Sequence, residues 1–522
     1  MVKTIIKREF LDNLISLKFI ACVLVAIVLT AISTAVQARN YLDRLSDYNK
    51  GTALAQDELT KVPAYSFLGV SIYKKPSPMS IFVTGIEGKT GSYVTMTHRE
   101  IPTSLKGGVI KNEFSSVFSF FDLSSIIITI FSILAILLSY DSISGEKESG
   151  MLSLVLSNSF PRSRFLTGKY LGGMISLALA VLLCFLSGSL ILLFSKGIAL
   201  DSGFFVSAFL IYLFSLLYLS AVFLIGILAS SSTKSSFQSL IVILAFYLLA
   251  VFLLPLAVNN AADGLAARGA RQYDRNVGEL LKQRAFEIGR ISKAIPIQRG
   301  WSFKKSAGEK VLLSRLNPPE TIAYYESLLG QTERLKEEYA LKIQALRQED
   351  LRVRQRIDRL RNWVLALFPP SCFGRVAELE AGTGQDDLIR FFQHLTQYWR
   401  QYVHYLDEKN AFSLRYFYPF PKGLPPAEEA LVDELTRVYA ENKQPWLSSS
   451  SFQEVKKINE QYEENISPLD LSDLPVFTYQ KRAFAERLQK WSLSIVVLFF
   501  NNLLAFALAY FTFARYDART EN

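Results

Sequence analysis

Six long apolar stretches restrict the fold of this chain more than any other feature. Each has close to the roughly 20 residues that an α-helix needs to cross a bilayer, and their interiors carry almost no charge. Because a backbone in lipid must satisfy its own hydrogen bonds, such stretches form helices. The sequence therefore predicts an α-helical membrane protein with six transmembrane helices, at residues 19–36, 118–140, 171–194, 204–228, 240–258 and 491–514.

The rest of the chain is too polar for lipid. Of the 522 residues, 50% are hydrophobic and 20% are charged, so the apolar residues are concentrated in the predicted spans. The cysteines Cys22, Cys184 and Cys372 offer no disulfide framework. A net charge of +10 would suggest nucleic acid for a soluble protein, but basic residues beside spans serve as topology signals and lipid anchors. We therefore expect a lipid membrane, and no nucleic acid, as a partner.

The short segments between the spans predict the orientation. Residues 1–18, 141–170 and 515–522 share one side of the membrane and are rich in lysine and arginine, which favour the cytoplasm. We expect a multi-pass protein of the cell (inner) membrane with both termini cytoplasmic. The basic residues concerned are Lys3, Lys7, Arg8, Lys18, Lys147, Arg162, Arg164, Lys169, Arg515 and Arg519.

The first apolar stretch has an alternative interpretation. Basic residues precede it and residues 36–38, Val-Gln-Ala, follow it, as in a secretory signal with its cleavage site. Its length of about 18 residues exceeds the roughly 7 to 15 that are usual for a signal. We therefore expect the stretch to remain in the protein as the first span.

Two polar segments then lie outside the cell. Residues 37–117 mix glycine, proline and β-branched residues, which predicts a small, irregular loop with short strands near 80–85 and 92–96. Residues 259–490 are rich in Glu, Arg, Leu and Gln, which predicts a large, mainly helical domain that folds as an autonomous unit. Its longest helix is expected at 319–367, paired with a helix before Pro296. The apolar seam of this pair is predicted at Tyr339, Ile343, Leu346, Val353, Ile357 and Leu360.

Residues 363–368, Trp-Val-Leu-Ala-Leu-Phe, are apolar but too short to span a bilayer. Two interpretations are open: they belong to the core of the outer domain, or they dip into the membrane interface with Trp363 as an anchor. We expect the first, because buried apolar segments are the more common case. The neighbouring arginines are predicted to form a solvated helix face. They are Arg352, Arg354, Arg356, Arg359 and Arg361.

The chain carries no recognisable catalytic constellation. Gly88-Lys89-Thr90 imitates the end of a phosphate-binding loop, but Val83 stands where that motif requires glycine. His394 and His404 are about 15 Å apart along a helix, too far to share a metal ion. Asp122 lies alone near the end of the second span, where we expect it to cap the helix, the alternative being a polar residue at the outer mouth of a path between subunits. The sequence predicts no enzyme and no metal site.

Residues 140–170 are the most informative segment. An acidic turn is followed by a short amphipathic helix with Met151, Leu152, Val155 and Leu156 on one side, a break at Pro161 and a basic return to the membrane. One interpretation is a helix lying on the inner leaflet. The other is a docking element for a cytoplasmic partner. The pattern alone favours neither.

The residues of this segment resemble a known signature. Asp-x-x-Ser-Gly-Glu-x-Glu-x-Gly-x-Leu at 141–152, followed by Pro161, Arg164 and Gly168-Lys169, resembles the motif after the second span of ABC-2 type permeases, the membrane subunits of a class of ATP-binding-cassette transporters. Met151 replaces the usual threonine. Residues 6–10 resemble the interfacial elbow helix of that family, and residues 513–517 its closing turn.

The resemblance implies a function and partners. It implies an ABC transporter permease that works in export, dimerises with itself or a paralogue and recruits a separate ABC-type ATPase. It also implies that this chain holds no cofactor, because the ATPase binds the ATP. It further implies that Glu146 and Glu148 meet basic residues of the ATPase, and that Leu152 and Leu156 fill its apolar groove. The implied ATPase-coupling residues are Asp141, Gly145, Glu146, Glu148, Gly150, Leu152, Leu156, Pro161 and Arg164.

A second function class remains open at this point. A membrane-anchored scaffold or sensor would use the outer helical domain to hold a partner, without transport. A membrane enzyme is disfavoured because the catalytic groups are missing from the sequence. Copurification with a cassette-type ATPase separates the transporter from the scaffold.

Overall fold

The computed structural model describes residues 2–107, 121–152, 161–294, 319–413 and 468–515. Within these ranges, six helical stretches are long and apolar enough to cross a membrane. The prediction of an α-helical membrane protein is therefore confirmed. We call the polar part outside the spans, formed by residues 37–107, 259–294, 319–362, 382–413 and 468–483, the head domain.

Two helices form the beginning of the described chain. Helix α1 comprises Val2–Ile15, and helix α2 comprises Leu17–Thr60. Between them, Ser16 caps the start of α2, because its hydroxyl accepts a hydrogen bond from the Phe19 backbone. Helix α2 has 44 residues, about 66 Å of helix, which is twice the thickness of a bilayer core. The prediction of an irregular loop from residue 37 is therefore wrong up to residue 60. No proline interrupts the sequence before Pro63, so the helix continues beyond the membrane.

A small hairpin follows in the head domain. Strand β1 (Val70–Tyr73) pairs antiparallel with β2 (Tyr93–Met96), with Val70 opposite Met96. The predicted strand near residues 92–96 is confirmed. The one predicted at 80–85 is wrong, because Pro78 starts a 3₁₀ turn (Pro78–Ile81) instead.

The described part of the second span begins at Leu123. Asp122 caps helix α3 (Leu123–Ile126), which continues through a π-helical turn (Ile127–Phe131) into α4 (Ser132–Ser139). The expected start at residue 118 lies outside the described residues. The short helix α5 (Ser144–Glu148) follows after one turn.

The third and fourth spans, α6 (Arg162–Phe194) and α7 (Ser202–Ser232), form the centre of the bundle. The two helices are in contact at Gly173, where an added Cβ would clash with the ring of Phe223. Tyr218 is fully buried and its hydroxyl lies 2.5 Å from that of Ser132. The core of the membrane bundle therefore surrounds α7.

The fifth span continues directly into the head domain. Helix α8 (Ser236–Leu248), a π-helical turn (Leu249–Leu253) and α9 (Leu254–Ala294) form one nearly continuous helical stretch of 58 residues, Ser236–Lys293. As predicted, α9 packs against the long helix α10 (Pro319–Leu365). Tyr339 is buried, as predicted for a residue of the seam. Val353 and Leu360 are exposed, so the prediction is wrong for these two residues.

A short helix returns into the bundle after α10. Helix α11 (Pro369–Ala381) packs between α7 and the sixth span, α13 (Phe484–Ala514), and Phe373 stacks on Tyr218 with ring centroids 5.4 Å apart. Just before it, Trp363 and Leu367 are exposed. The prediction that residues 363–368 belong to a domain core is therefore wrong. The alternative, a segment in the membrane interface with Trp363 as an anchor, stays a prediction.

The head domain has a core built from both polar segments. Helix α12 (Gln385–Glu408) packs on the hairpin region, where Trp399 donates a hydrogen bond to the Thr97 carbonyl and Tyr402 donates one to the Leu68 carbonyl. The prediction that residues 259–490 fold autonomously is therefore wrong. Their core needs the hairpin, and α11 belongs to the membrane bundle.

Candidate functional site

The 140–170 segment connects the ends of the membrane helices that lie away from the head domain. Its described residues are 140–152 and 161–170. Each of its charged contacts joins this segment to a different helix. The geometry of these contacts defines the candidate functional site.

A three-residue charge cluster lies at the centre of the site. The ammonium of Lys169, at the start of α6, lies 2.7 Å from a carboxylate oxygen of Glu146 and 2.9 Å from one of Glu9 on α1. All three side chains are largely withdrawn from water. Burial raises the pKa of Glu9, and the charge of Lys169 opposes that rise. The cluster therefore holds α1, α5 and α6 together by charge.

Helix α1 is seated against α6 at two glycines. A Cβ at Gly168 would lie 2.9 Å from Ile5, and one at Gly172 would lie 2.7 Å from the Cβ of Glu9. Larger residues at these positions would push α1 away from α6. The elbow helix and the Lys169 cluster thus depend on the same close approach.

Lys147 closes the end of the fourth span. Its ammonium donates hydrogen bonds to the carbonyls of Ser231 at 2.7 Å and Thr233 at 2.9 Å, at the C-terminus of α7. The last carbonyls of a helix have no partners within the helix and carry a partial negative charge. A cation at this position therefore stabilises the end of α7 and ties it to α5.

Glu148 binds the N-terminus of the fifth span, whereas Lys147 binds the C-terminus of the fourth. Its carboxylate accepts hydrogen bonds from the Ser236 backbone at 3.1 Å and the Ser236 hydroxyl at 2.7 Å. Ser236 is the first residue of α8, where unpaired N–H groups attract an anion. Neighbouring residues of α5 thus hold one helix C-terminus and one helix N-terminus.

Arg162 and Asp141 bring in the remaining spans. Arg162 donates hydrogen bonds to the carbonyls of Phe513 at 3.0 Å and Ala514 at 2.6 Å, at the C-terminus of α13. Asp141 lies 3.8 Å from Lys18 at the start of α2. The 140–170 segment is therefore connected to the near end of every membrane span.

Glycine and serine residues make this close arrangement possible. The hydroxyl of Ser230 on α7 accepts hydrogen bonds from the backbones of Ile143 at 3.0 Å and Ser144 at 2.9 Å. A Cβ added at Gly145 would lie 3.6 Å from the Ser236 hydroxyl. Gly150 has a φ of +70°, the left-handed conformation that ends a helix and favours glycine.

The sequence-predicted coupling residues divide into two groups. Asp141, Glu146 and Glu148 form charged contacts with the chain's own helices, so these charges help the spans to pack, and Gly145 lies beside them. Leu152 is fully buried in the bundle core, which argues against its expected role in an apolar groove of a partner. Glu148, Gly150, Pro161 and Arg164 are exposed, as is the neighbouring Met151, and Leu156 lies outside the described residues.

Sequence reasoning missed the internal partners of these residues. The sequence indicates only topology signals at Lys147, Arg162 and Lys169 and an elbow helix at Glu9. The sequence does place these charged residues within one or two turns of predicted helix ends, and the dipole of a helix end attracts charge of the opposite sign. Which helix end each charge meets depends on the packing.

Asp122 is a capping residue, as expected. One carboxylate oxygen accepts hydrogen bonds from the Ser125 backbone at 2.8 Å and the Ser124 hydroxyl at 2.8 Å, and the other accepts one from the Thr84 backbone at 2.8 Å. Asp122 is only 5% exposed. The interpretation of Asp122 as a residue lining an outer mouth is therefore not supported.

A cavity of about 630 Å³ lies where the head domain meets the bundle. Phe204 at the start of α7 and Leu379 of α11 contribute apolar surface on one side, and Phe391 and Tyr398 of α12 contribute on another. The cavity is large enough for a medium-sized organic molecule.

Two carboxylates of α11 line this cavity and differ in their surroundings. Glu380 is paired with Arg487 at 2.5 Å and accepts a hydrogen bond from the Ser207 hydroxyl at 2.9 Å. Glu378 has no such partner among the described residues; burial, together with repulsion from Asp122, raises its pKa to about 7. A buried carboxyl that titrates near neutral pH in a cleft is a candidate for binding or proton exchange.

Comparison with known proteins extends these observations. The family described as "ABC-2 family transporter protein" matches residues 3–297. Two curated relatives are similar to part of the chain, and each is named "Probable ABC transporter permease protein NosY". The relative from Pseudomonas aeruginosa is 37% identical over 117 residues, which are 22% of this chain and 42% of the relative. The relative from Stutzerimonas stutzeri is 40% identical over 83 residues, 16% of this chain and 30% of the relative. The chain thus matches less than half the length of each of these relatives.

Proposed function

The chain belongs to the ABC-2 family of transporter proteins, and from this premise we propose that it is the permease subunit of an ATP-driven exporter that works with a separate ATPase. The supporting observation is the 140–170 segment, which leads from the second span into the third and is joined by charged contacts to the near ends of the other four spans. A segment that only tethers two spans needs no such contacts. A segment that transmits a displacement to the whole bundle requires them.

The transmission follows from the geometry of these contacts. A displacement of α5 acts on α1 and α6 through Glu146 and Lys169, and on α7 and α8 through Lys147 and Glu148. These ion pairs and charge-assisted hydrogen bonds are short, so they resist separation. Movement of one short helix would therefore reorient several spans together.

The proposed ATPase contact is formed by the exposed residues of the segment. Met151 presents an apolar side chain next to the C-terminus of α5, and Arg164 presents a charge at the start of α6. In this proposal Glu146 and Glu148 transmit the movement inside the permease rather than binding the ATPase. ATP is bound by the partner, and this chain supplies no nucleotide site or cofactor.

We propose the inner membrane as the location, with both termini in the cytoplasm. The basic residues of the 140–170 segment and of the neighbouring ends support this orientation. A second permease copy or a paralogue would complete the transporter. The exposed apolar faces of α8 and α13 are available for such a contact.

The cavity beside Glu378 supports a second candidate function. A membrane-anchored sensor would bind a ligand there and would need no ATPase. The two functions differ in one observable, because only the permease forms a stable complex with a cassette-type ATPase.

Copurification tests the proposal. The full chain, tagged and coexpressed with a cassette-type ATPase from the same genome, should retain that ATPase through purification in detergent. Reconstitution into phospholipid vesicles should then give ATP hydrolysis that depends on the permease. A chain that purifies well folded but never with an ATPase would overturn the permease function and favour the sensor.

A further inference from the structure

One face of the last third of α10 has no packing partner in the described structure. Its exposed residues recur at intervals of three and four, which places them on a single side of the helix. The face changes character along its length, from basic to apolar. It consists of Arg352, Arg356, Arg359, Leu360, Trp363 and Val364 of α10, and it is extended by Leu367 in the turn that follows the helix.

The apolar end of this face lies at the depth of the membrane spans. The carbonyl of Leu367 is 3.5 Å from the amide nitrogen of Asn501, which stands near the middle of the apolar run 491–514. Pro369 and Pro370, directly after it, line a small gap together with Val222 of α7 and Tyr247 of α8. Independent contacts with three spans therefore place the end of α10 near the centre of the bilayer.

The apolar side chains at this end are too exposed for a protein interior. Leu367 is 67% exposed, Trp363 59% and Leu360 67%. Large apolar side chains that face outward at this depth are stable in contact with acyl chains and unfavourable in water.

The arginines lie at the height of lipid headgroups. At about 1.5 Å per residue, Arg359 is roughly 12 Å above Leu367 along the helix, and Arg352 roughly 22 Å. Half of a bilayer core is about 15 Å, so these guanidinium groups bracket the phosphate layer. Arg352, Arg356 and Arg359 are exposed, and none forms an ion pair with a described residue. Guanidinium groups bind phosphate by paired hydrogen bonds.

We propose that this face of α10 is a lipid-binding surface, in which Leu360, Trp363 and Leu367 contact acyl chains and the three arginines bind phospholipid phosphates. The leaflet concerned is the one beside the head domain. A long helix of the head domain is thereby anchored in the membrane at its lower end. The inference depends on the spans alone and stands whether or not the proposed transport function is correct.

A second copy of the chain fits this face less well. A symmetric contact places the same surface of each copy against the other. The arginines of one copy would then approach those of its partner, and like charges in an interface are costly. Phosphates supply the opposite charge at the required height.

Spin-label accessibility tests the proposal in the full chain. The native cysteines Cys22, Cys184 and Cys372 are first replaced by alanine. A single cysteine is then introduced by Trp363→Cys, Leu367→Cys or Arg352→Cys, spin-labelled, and the protein is reconstituted into phospholipid vesicles. Collision with oxygen, which concentrates in lipid, is compared with collision with a water-soluble nickel chelate. The ratio of oxygen to nickel collisions should be several-fold higher at positions 363 and 367 than at 352.

A matched control uses the same helix. Leu341 is exposed like Leu367 but lies about 39 Å further from the membrane along α10, so a label at Leu341→Cys should report water. Ratios at 363 and 367 equal to that at 341 would overturn the proposal. Low collision rates with both reagents, together with spin–spin broadening, would assign the face to a second copy and overturn it too. If Trp363→Cys fails to fold, Val364→Cys replaces it.

The arginine part of the proposal has its own test. In detergent, added phosphatidylglycerol should raise the thermal midpoint of the wild-type chain, and the triple variant Arg352→Gln, Arg356→Gln, Arg359→Gln should lose more than half of that shift. A control with the same charge change carries Lys61→Gln, Lys342→Gln and Arg400→Gln, exposed cations remote from the bilayer. Equal shifts in both triple variants would contradict the assignment. Equal stabilisation by inorganic phosphate would reduce the surface to a general anion site and would also overturn it.

Discussion

The ammonium of Lys169 lies 2.7 Å from the carboxylate of Glu146, and the two side chains are 11% and 25% exposed. This pair joins the third span to the short helix that follows the second. Glu9 joins it from the first helix of the chain. We call Glu9, Glu146 and Lys169 the internal joint. It connects helices of the chain itself, although the sequence suggested an external partner for Glu146.

The first prediction concerns this joint. Lys169→Met should lower the free energy of unfolding by about 3 kcal/mol, because it leaves two largely buried carboxylates without their cation. The thermal midpoint of the purified protein measures the effect. Lys196→Met, at an exposed lysine, is the control and should change little. Adding Glu9→Gln and Glu146→Gln to Lys169→Met should restore part of the loss, and a stability unaffected by Lys169→Met would show that the joint is unimportant.

The second prediction separates docking from packing. Met151→Asp should abolish copurification with the ATPase and leave the thermal midpoint unchanged, because Met151 is 42% exposed and a charge there meets the partner rather than the core. Leu152→Asp is the contrasting variant. It should prevent folding, since Leu152 is fully buried. Retention of the ATPase by the Met151 variant would place the docking surface elsewhere.

The third prediction is a pH dependence at the cavity. Burial raises the pKa of Glu378 to about 7 from its ordinary value of 4.5, so between these pH values the folded chain holds a proton that the unfolded chain has released. Stability from this group is therefore present below pH 4.5 and is lost as pH rises towards 7. Glu378→Gln should remove this loss, and its thermal midpoint relative to wild type should rise across the interval.

Glu380→Gln is the control for the cavity. It should be destabilising at neutral pH, because Arg487 loses its carboxylate partner. If Glu378→Gln and wild type respond to pH identically, the carboxyl does not titrate in this range.

The fourth prediction concerns orientation. Ser149 and Lys61 are exposed at opposite ends of the membrane bundle. In whole cells, a membrane-impermeant thiol reagent should label Lys61→Cys and leave Ser149→Cys unlabelled. After the cells are opened, both positions should react. Labelling of position 149 in intact cells would reverse the proposed topology.

Two features of the fold could be predicted only in part. The pairing of α9 with α10 was predicted from the seam, yet Val353 and Leu360 on that seam are exposed. A heptad-like spacing shows that a face is apolar, and it does not show whether helix or lipid covers that face. The return of α11 into the bundle was not predicted, because its 13 residues are too short and too polar to resemble a span.

The sequence by itself determined the class of protein and the number of spans, because hydropathy and length are properties of contiguous residues and the bilayer imposes its thickness on them. The motif at 141–152 likewise identified the family, since a signature is read along the chain. Only the tertiary structure decided the roles of Glu146, Glu148 and Leu152. Their partners are far away in sequence, and whether a charge binds a neighbouring helix or an external protein depends on which helix ends the packing brings within hydrogen-bond distance.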